Sequence, residues 1–411
     1  MSCVVAFGLT LVAAEARAAD EGPVSLTLAE SLARAEAQAP EVIMAGHELR
    51  DAAARRVGAG LILPSNPRLS VDARPVLRGG SLSDVGYAAT ADMLFEPGGA
   101  PRARVEEADR FKSLAQSELR IHRLSARARA FSAYLRALIA EQRVRESRAA
   151  VELGERVLSA SRDRADAGAS GDIERSLAES ELGLSRASLS AEEQRQFDYV
   201  MDLRDAMDLP ADTGVTLTTP LTDPQPVPPP ATLVPKAVSS RADLDTIRRR
   251  IDLLLATETR LERETFPKVG GYVGVDATPL SPMVGIVGVS VELPVAQRNQ
   301  GPLARTAAQR TGEEEHLVLE ARRIVREVYA THAIFEARRR ELGILTITAL
   351  PAAERTLVLV ESGWRSGRFD IFRVVSAARD LARVRTARLD ALETAWLARI
   401  AIDRAVGGLE P

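Results

Sequence analysis

The chain has 411 residues, 45% of them hydrophobic and only 4% aromatic, with a formal net charge of -3. A balance so close to neutral offers no global field to recruit nucleic acid or an anionic surface, and the basic residues are interleaved with acids as on solvated helix faces. Heavy Ala, Leu, Arg and Glu with few aromatics is the bias of long helices.

The chain opens on an apolar run, Cys3 to Ala14, too short to span a bilayer as a helix, followed by the small-x-small pattern Ala16-Arg17-Ala18. Residues 1–19 are therefore expected to be a secretory signal peptide. Cys3, the sole cysteine, leaves with it, so the mature chain has no disulfide or thiol chemistry. Thr27 to Glu30 reads TLAE, a capping box that starts a helix, with a break at Pro40 and an end near Gly60 before Pro64 and Pro67. The period then becomes two. Leu69, Val71 and Ala73 alternate with Ser70, Asp72 and Arg74, and Tyr87, Ala89, Ala91, Met93 and Phe95 form a second alternating run. These are two strands with unlike faces.

From about Arg102 to Ala165 there is no proline. Leu114, Ser117, Ile121, Leu124, Ala128, Phe131, Leu135 and Leu138 step by three and four, a coiled-coil seam. Roughly 60 helical residues reach about 90 Å. A glycine turn, Gly168 to Asp172, sends the chain back as another heptad helix to about Leu209. Pro220 to Pro235 holds seven prolines and reads as an extended linker.

The same order then repeats about 200 residues on. Leu244, Ile247, Ile251 and Leu254 answer Val42, Ala45, Leu49 and Ala52, and Val71-Asp72-Ala73 recurs as Val275-Asp276-Ala277. The second strand pair is Tyr272–Ala277 with Val284–Leu293, joined through Pro279-Leu280-Ser281-Pro282. The second long helix, about Leu303 to Ser362, has its seam at Leu317, Ala321, Ile324, Val328, Thr331, Phe335, Leu342 and Leu345, with a kink expected at Pro351. Arg338 interrupts that seam at a wet layer or an edge. A turn from Ser362 to Asp370 leads into the last helix, which ends near Gly407. The expected domains are residues 1–19 (signal), 20–212 (first repeat), 213–235 (linker) and 236–411 (second repeat).

Four strands per chain cannot close a membrane barrel, which needs about eight or more. Exposed strand edges would aggregate unless association pairs them. Three copies would supply twelve strands, with the helical hairpins as a matching ring. The expected lipid-facing positions include Val71, Ala73, Val275, Val289 and Val291. The rival reading is a secreted periplasmic coiled-coil scaffold whose small sheet never enters a membrane.

At this point the residues resemble a known family. The TLAESLARA opening, the Leu63-Pro64-Ser65-Asn66-Pro67 break, the duplicated strand–helix order and the paired glycine turns are similar to the TolC-like outer-membrane efflux proteins. GASGDIERSLAESE at 168–181 and GWRSGRFDIFRVVSAARD at 363–380 resemble most the CzcC-type branch, which serves cation export. The resemblance implies a mainly α fold with a β-barrel part. Its homotrimer would form a 12-strand outer-membrane barrel continued by a 12-helix periplasmic α-barrel. It also implies a periplasmic adaptor (membrane fusion protein) and an inner-membrane RND transporter as partners. Metal cations are the favoured cargo, with drugs or type I protein secretion as alternatives.

No active site is legible, and the chain is read as a passive conduit rather than an enzyme, without cofactor or resident metal. His47, His122, His316 and His332 stand at no metal-ligand spacing. Gly168 and Gly367 fall at the hairpin tips, where the resemblance implies adaptor docking. Asp172, Glu174, Arg365, Arg368 and Asp370 lie close by, and facing charges there could form a periplasmic gate.

Overall fold

The computed structural model describes residues 24–78, 81–166, 172–277 and 282–408. The expected signal peptide, Gly168 with its neighbours 167–171, and the loop residues Pro279, Leu280 and Ser281 lie outside the described residues.

Helix α1 (Leu28–Gln38) starts at the expected capping box. Thr27 Oγ1 accepts from the Glu30 amide at 3.2 Å, and the Glu30 carboxylate accepts from the Thr27 amide at 2.8 Å. Ala39 breaks the helix, and α2 (Pro40–Ala59) begins on Pro40, whose missing N–H costs nothing at a first helical position. Strands β2 (Arg68–Arg78) and β3 (Ser81–Phe95) follow, then α3 (Ala100–Asp166), α4 (Asp172–Ala206) and a short strand β4 (Val215–Leu217). β4 pairs in parallel with β1 (Val24–Leu26), a tie between the two ends of the first repeat. Tyr134, fully buried in α3, fastens this tie: its hydroxyl donates to Leu26 O at 2.9 Å and accepts from Thr219 N at 3.1 Å.

The proline-rich segment is extended only as far as Pro229. From Pro230 it is helix α5 (Pro230–Ser240), with Pro235 inside it, so the expected linker is shorter than its composition suggests. Leu233 and Ala237 are buried against Ile324, Val328 and Phe335, and this packing outweighs the interior Pro235, while Pro230 stands at the first helical position, where proline fits. The extended part is pinned to the last helix: Trp396 Nε1 donates to Thr222 O at 2.8 Å and Arg399 Nη1 to Gln225 O at 3.1 Å.

The second repeat runs α6 (Ala242–Arg263), β5 (Lys268–Ala277), β6 (Val284–Glu292), α7 (Gln300–Ile344), α8 (Leu350–Arg365) and α9 (Ile371–Val406). α6 crosses α3 through a buried hydrogen bond from Thr246 Oγ1 to Ser117 Oγ at 3.0 Å. Between α7 and α8, just before Pro351, the helix widens into one π turn, Leu345–Ala349, where Leu350 N–H bonds back to Leu345 O. The seam explains this. Leu345 and Leu350 are five apart, one more than a heptad step allows, and the wide turn absorbs the extra residue so that Leu350 and Leu357 keep facing α9. At 67 residues, α3 alone is about 100 Å long. Arg338 is exposed and pairs with Glu341 at 2.8 Å, as an edge position would.

Candidate membrane sheet and helical tips

The hairpins of the two repeats join in one antiparallel sheet ordered β2-β3-β5-β6. β3 is shared by both repeats: Val71 and Val275 are each opposite Ala89, Asp72 and Asp276 opposite Ala88, and Ala73 and Ala277 opposite Tyr87. The duplicated tripeptide therefore flanks one strand on both sides in the same register.

That register sorts every side chain onto one of two faces, because directly paired residues point the same way and successive residues point oppositely. Leu69, Val71 and Ala73 share a face with Tyr87, Ala89, Ala91, Met93 and Phe95. Val269, Val273, Val275, Val287, Val289 and Val291 continue it. Between Leu69 and Ala73, Tyr87 and Phe95, Val269 and Ala277, and Gly285 and Val291 this face carries no charge. The opposite face holds Arg68, Asp72, Arg74, Asp92, Lys268, Asp276 and Glu292. Its polar groups bond along the wall: Arg74 to Asp276 at 2.8 Å, and Ser70 to Thr90 at 2.7 Å. The apolar face is bare in the single chain, with Val287 82% exposed and Leu69 and Val289 both 73% exposed. Among the described residues, β2 and β6 each leave one edge unpaired.

Where the sheet meets the helices, Glu96 is nearly buried and ties the repeats together through Arg104 at 2.6 Å and Lys268 at 3.3 Å. Gly98 follows because any Cβ there would strike Phe266 at 2.2 Å. The sequence shows the Gly-Gly turn but not this partner, which lies in the other repeat.

At the far end, Val157, Leu158, Ala178 and Leu182 of the first helical hairpin pack on Trp364, Ile371, Val374 and Val375 of the second. Ion pairs along the hairpins join them further, Arg379 to Glu181 at 2.5 Å and Arg385 to Glu146 at 2.9 Å. The Glu181 carboxylate holds the Arg379 guanidinium above its ordinary pKa. All five charged residues singled out near the turns stand at this end, and among the described residues each but Arg368 has a partner for its side chain. Asp172 pairs with Arg175 at 3.0 Å, Glu174 faces Arg164 at 3.9 Å, and Arg365 lies 3.8 Å from Glu361. Asp370 caps α9 by accepting from Arg373 N at 3.1 Å. Arg368 is exposed, and its amide donates to Gly363 O at 2.8 Å. Among the described residues no ion pair joins Asp172, Glu174 or Asp370 to Arg365 or Arg368.

Gly367 has φ +74, with open space where a Cβ would go, so its conformation and not its surroundings demands glycine. The neighbour that matters for packing is Gly363, where a Cβ would stand 2.3 Å from Phe369 Cδ2. Arg164 completes the cluster, its guanidinium 5.6 Å from the Trp364 ring centre and donating to Trp364 O at 3.2 Å. Among the described residues no His, Cys, Asp and Glu group could hold a metal ion.

No family model matches the sequence. The chain is 26% identical over 336 residues to the cobalt-zinc-cadmium resistance protein CzcC of Cupriavidus metallidurans, covering 78% of this chain and 76% of that protein. Its fold is that of solved outer-membrane channels. OprN superposes with a TM-score of 0.75 at 17% identity, over 93% of this chain and 90% of OprN. CusC, a protein described as forming a transmembrane channel, superposes with a TM-score of 0.77 at 15% identity, over 95% of each chain.

Proposed function

We propose that this chain, a TolC-like outer-membrane efflux channel by sequence and fold, works as a homotrimer that forms the exit duct of a tripartite pump. Its place is the outer membrane, with the long helices reaching into the periplasm. The observation that carries the reading is the two-faced sheet with two free edges. Water cannot satisfy a face made of Leu69, Val71, Val273, Val287 and Val289, and a bilayer can. From Tyr87 to Phe95 the apolar face of β3 spans eight residue steps, about 27 Å along the strand and roughly 20 Å in height at the usual tilt, close to the apolar band of outer-membrane barrels. Three copies of the four-stranded sheet supply twelve strands and leave no edge, since β2 and β6 run in opposite directions and can pair across subunits. Exposed Ile344, Ile347, Val358 and Leu359 on the α7–α8 rod are then covered by helices of neighbouring copies. A soluble scaffold would leave both surfaces in water.

In this reading the duct is passive. A periplasmic adaptor docks at the tips marked by Gly168 and Gly367 and passes on cargo from an inner-membrane RND transporter. Asp172, Glu174, Arg365, Arg368 and Asp370 form the gate, exchanging their local partners for one another across the threefold axis. Metal cations are the favoured cargo, supported by the name of the relative from Cupriavidus metallidurans. Mass measurement in detergent tests the assembly: a trimer is expected, and a stable monomer or a fully soluble protein would overturn the duct. Gly367→Trp tests the tip, with resistance lost and the trimer retained. Normal resistance would remove this turn from the docking surface.

A further inference from the structure

We infer that Tyr272 and Gly288 set the free bore of the barrel, the tyrosine ring lying flat on the lumen wall because Gly288 leaves it room. The inference rests on the trimeric-barrel reading above. The two residues are directly paired across β5 and β6, on the charged face. A Cβ at position 288 would stand 2.3 Å from both Cζ and Oη of Tyr272, so the ring fills the space that any other side chain there would occupy. Among the described residues of this face, Tyr272 is the one aromatic.

Two neighbouring glycines on the same face are covered in the same manner. A Cβ on Gly270 would meet Ser290 Oγ at 2.3 Å, and one on Gly274 would meet Thr90 Cγ2 at 2.7 Å. The apolar face differs: at Gly271 and Gly285 a Cβ would find nothing within 4 Å. Side chains of a strand ordinarily stand off the sheet, and glycine weakens a strand. Here the loss is spent on the charged face in keeping the wall low.

The bore shows why this matters. Twelve strands about 4.8 Å apart, tilted by roughly 40°, close a barrel about 24 Å across between backbones. A side-chain layer about 5 Å thick standing all round would narrow that to roughly 14 Å. Tyr272 shares its row with Arg68 and Asp92, so an upright ring there would crowd the lumen at a level that two charged side chains already share. The pair thus sets the upper size of hydrated cargo that can leave.

The sole cysteine is Cys3, so Glu292→Cys adds a unique reporter to the mature chain. Position 292 pairs with Lys268 at the helix end of the sheet, beyond Tyr272 as seen from outside. Intact cells are labelled from outside with a small maleimide and with maleimide-polyethylene glycols of increasing mass, and trimer content is measured for each variant. Gly288→Val should slow labelling by the large reagents severalfold while leaving the small one unchanged, and adding Tyr272→Ala should restore it. Gly285→Val, on the other face of the same strand, should alter neither. Unchanged labelling in trimeric Gly288→Val, or no rescue by Tyr272→Ala, overturns the inference. Should Gly288→Val not assemble, Tyr272→Ala alone decides, by faster entry of large reagents or by none. If the small maleimide cannot reach position 292 in the otherwise unchanged chain, the barrel reading itself fails.

Discussion

Ile286 and Val287 are neighbours in β6, both apolar, β-branched and exposed in the single chain, at 38% and 82%. Only the register separates them: Val287 pairs with Val273 on the apolar face, and Ile286 with Gly274 on the charged face. The row of Leu69, Ala91, Val273 and Val287 lies midway between the rows of Tyr87 and Phe95, which in the proposed barrel is near the bilayer midplane. Arg on the lipid face at that depth costs about 2–4 kcal/mol. Val287→Arg should therefore shift the insertion equilibrium roughly 30- to 700-fold per chain, and every subunit carries the penalty. Ile286→Arg lies on the charged face with Arg68 and Arg74, the lumen side in the proposed barrel, and should cost about 0–1 kcal/mol, no more than a substitution near the membrane surface. Urea-driven unfolding from lipid vesicles, with heat-stable trimer on gels as a second readout, measures both. Equal losses for the two variants, or a larger loss for Ile286→Arg, would refute the assignment of faces.

At the tip, Gly363→Ala should be the more disruptive glycine substitution, costing about 1–3 kcal/mol by overpacking against Phe369, and should raise hydrogen exchange around 363–371 while the trimer persists. Tyr134→Phe should leave Thr219 N without its acceptor, while Leu26 O keeps its bonds from Thr218, and destabilise the chain by about 1–3 kcal/mol, seen as a lower denaturant midpoint. Glu30 is held below its ordinary pKa by hydrogen bonds from the Thr27 backbone and side chain. Its contribution to the α1 start is therefore present above the unfolded-state value and is lost as pH falls through the folded one, so the amides of α1's first turn should exchange faster in acid, and Glu30→Gln should weaken that dependence.

Much of the fold was legible in the sequence because its signals are local. Alternation at Leu69–Ala73, the heptad steps through Phe131 and Leu138, the TLAE cap and the repeated Val-Asp-Ala are properties of residues close in sequence. Period and parity follow from backbone geometry alone. The faces of the sheet were legible for the same reason, and Val71, Ala73, Val275, Val289 and Val291 do share one face. The proline-rich segment misled because composition predicts extension, whereas burial of Leu233 and Ala237 holds α5 together. Pro351 marked an irregularity in this helix, but not its form, a wider turn that absorbs the five-residue interval from Leu345 to Leu350 and keeps the seam in phase. Only the tertiary structure decided that β3 serves both repeats, that β1 pairs with β4, that Phe369 demands Gly363, and that Tyr272 rests on Gly288. Each of these depends on which distant or folded-back atom arrives at a given place. Packing selects that atom from the whole chain, and no local period encodes the choice.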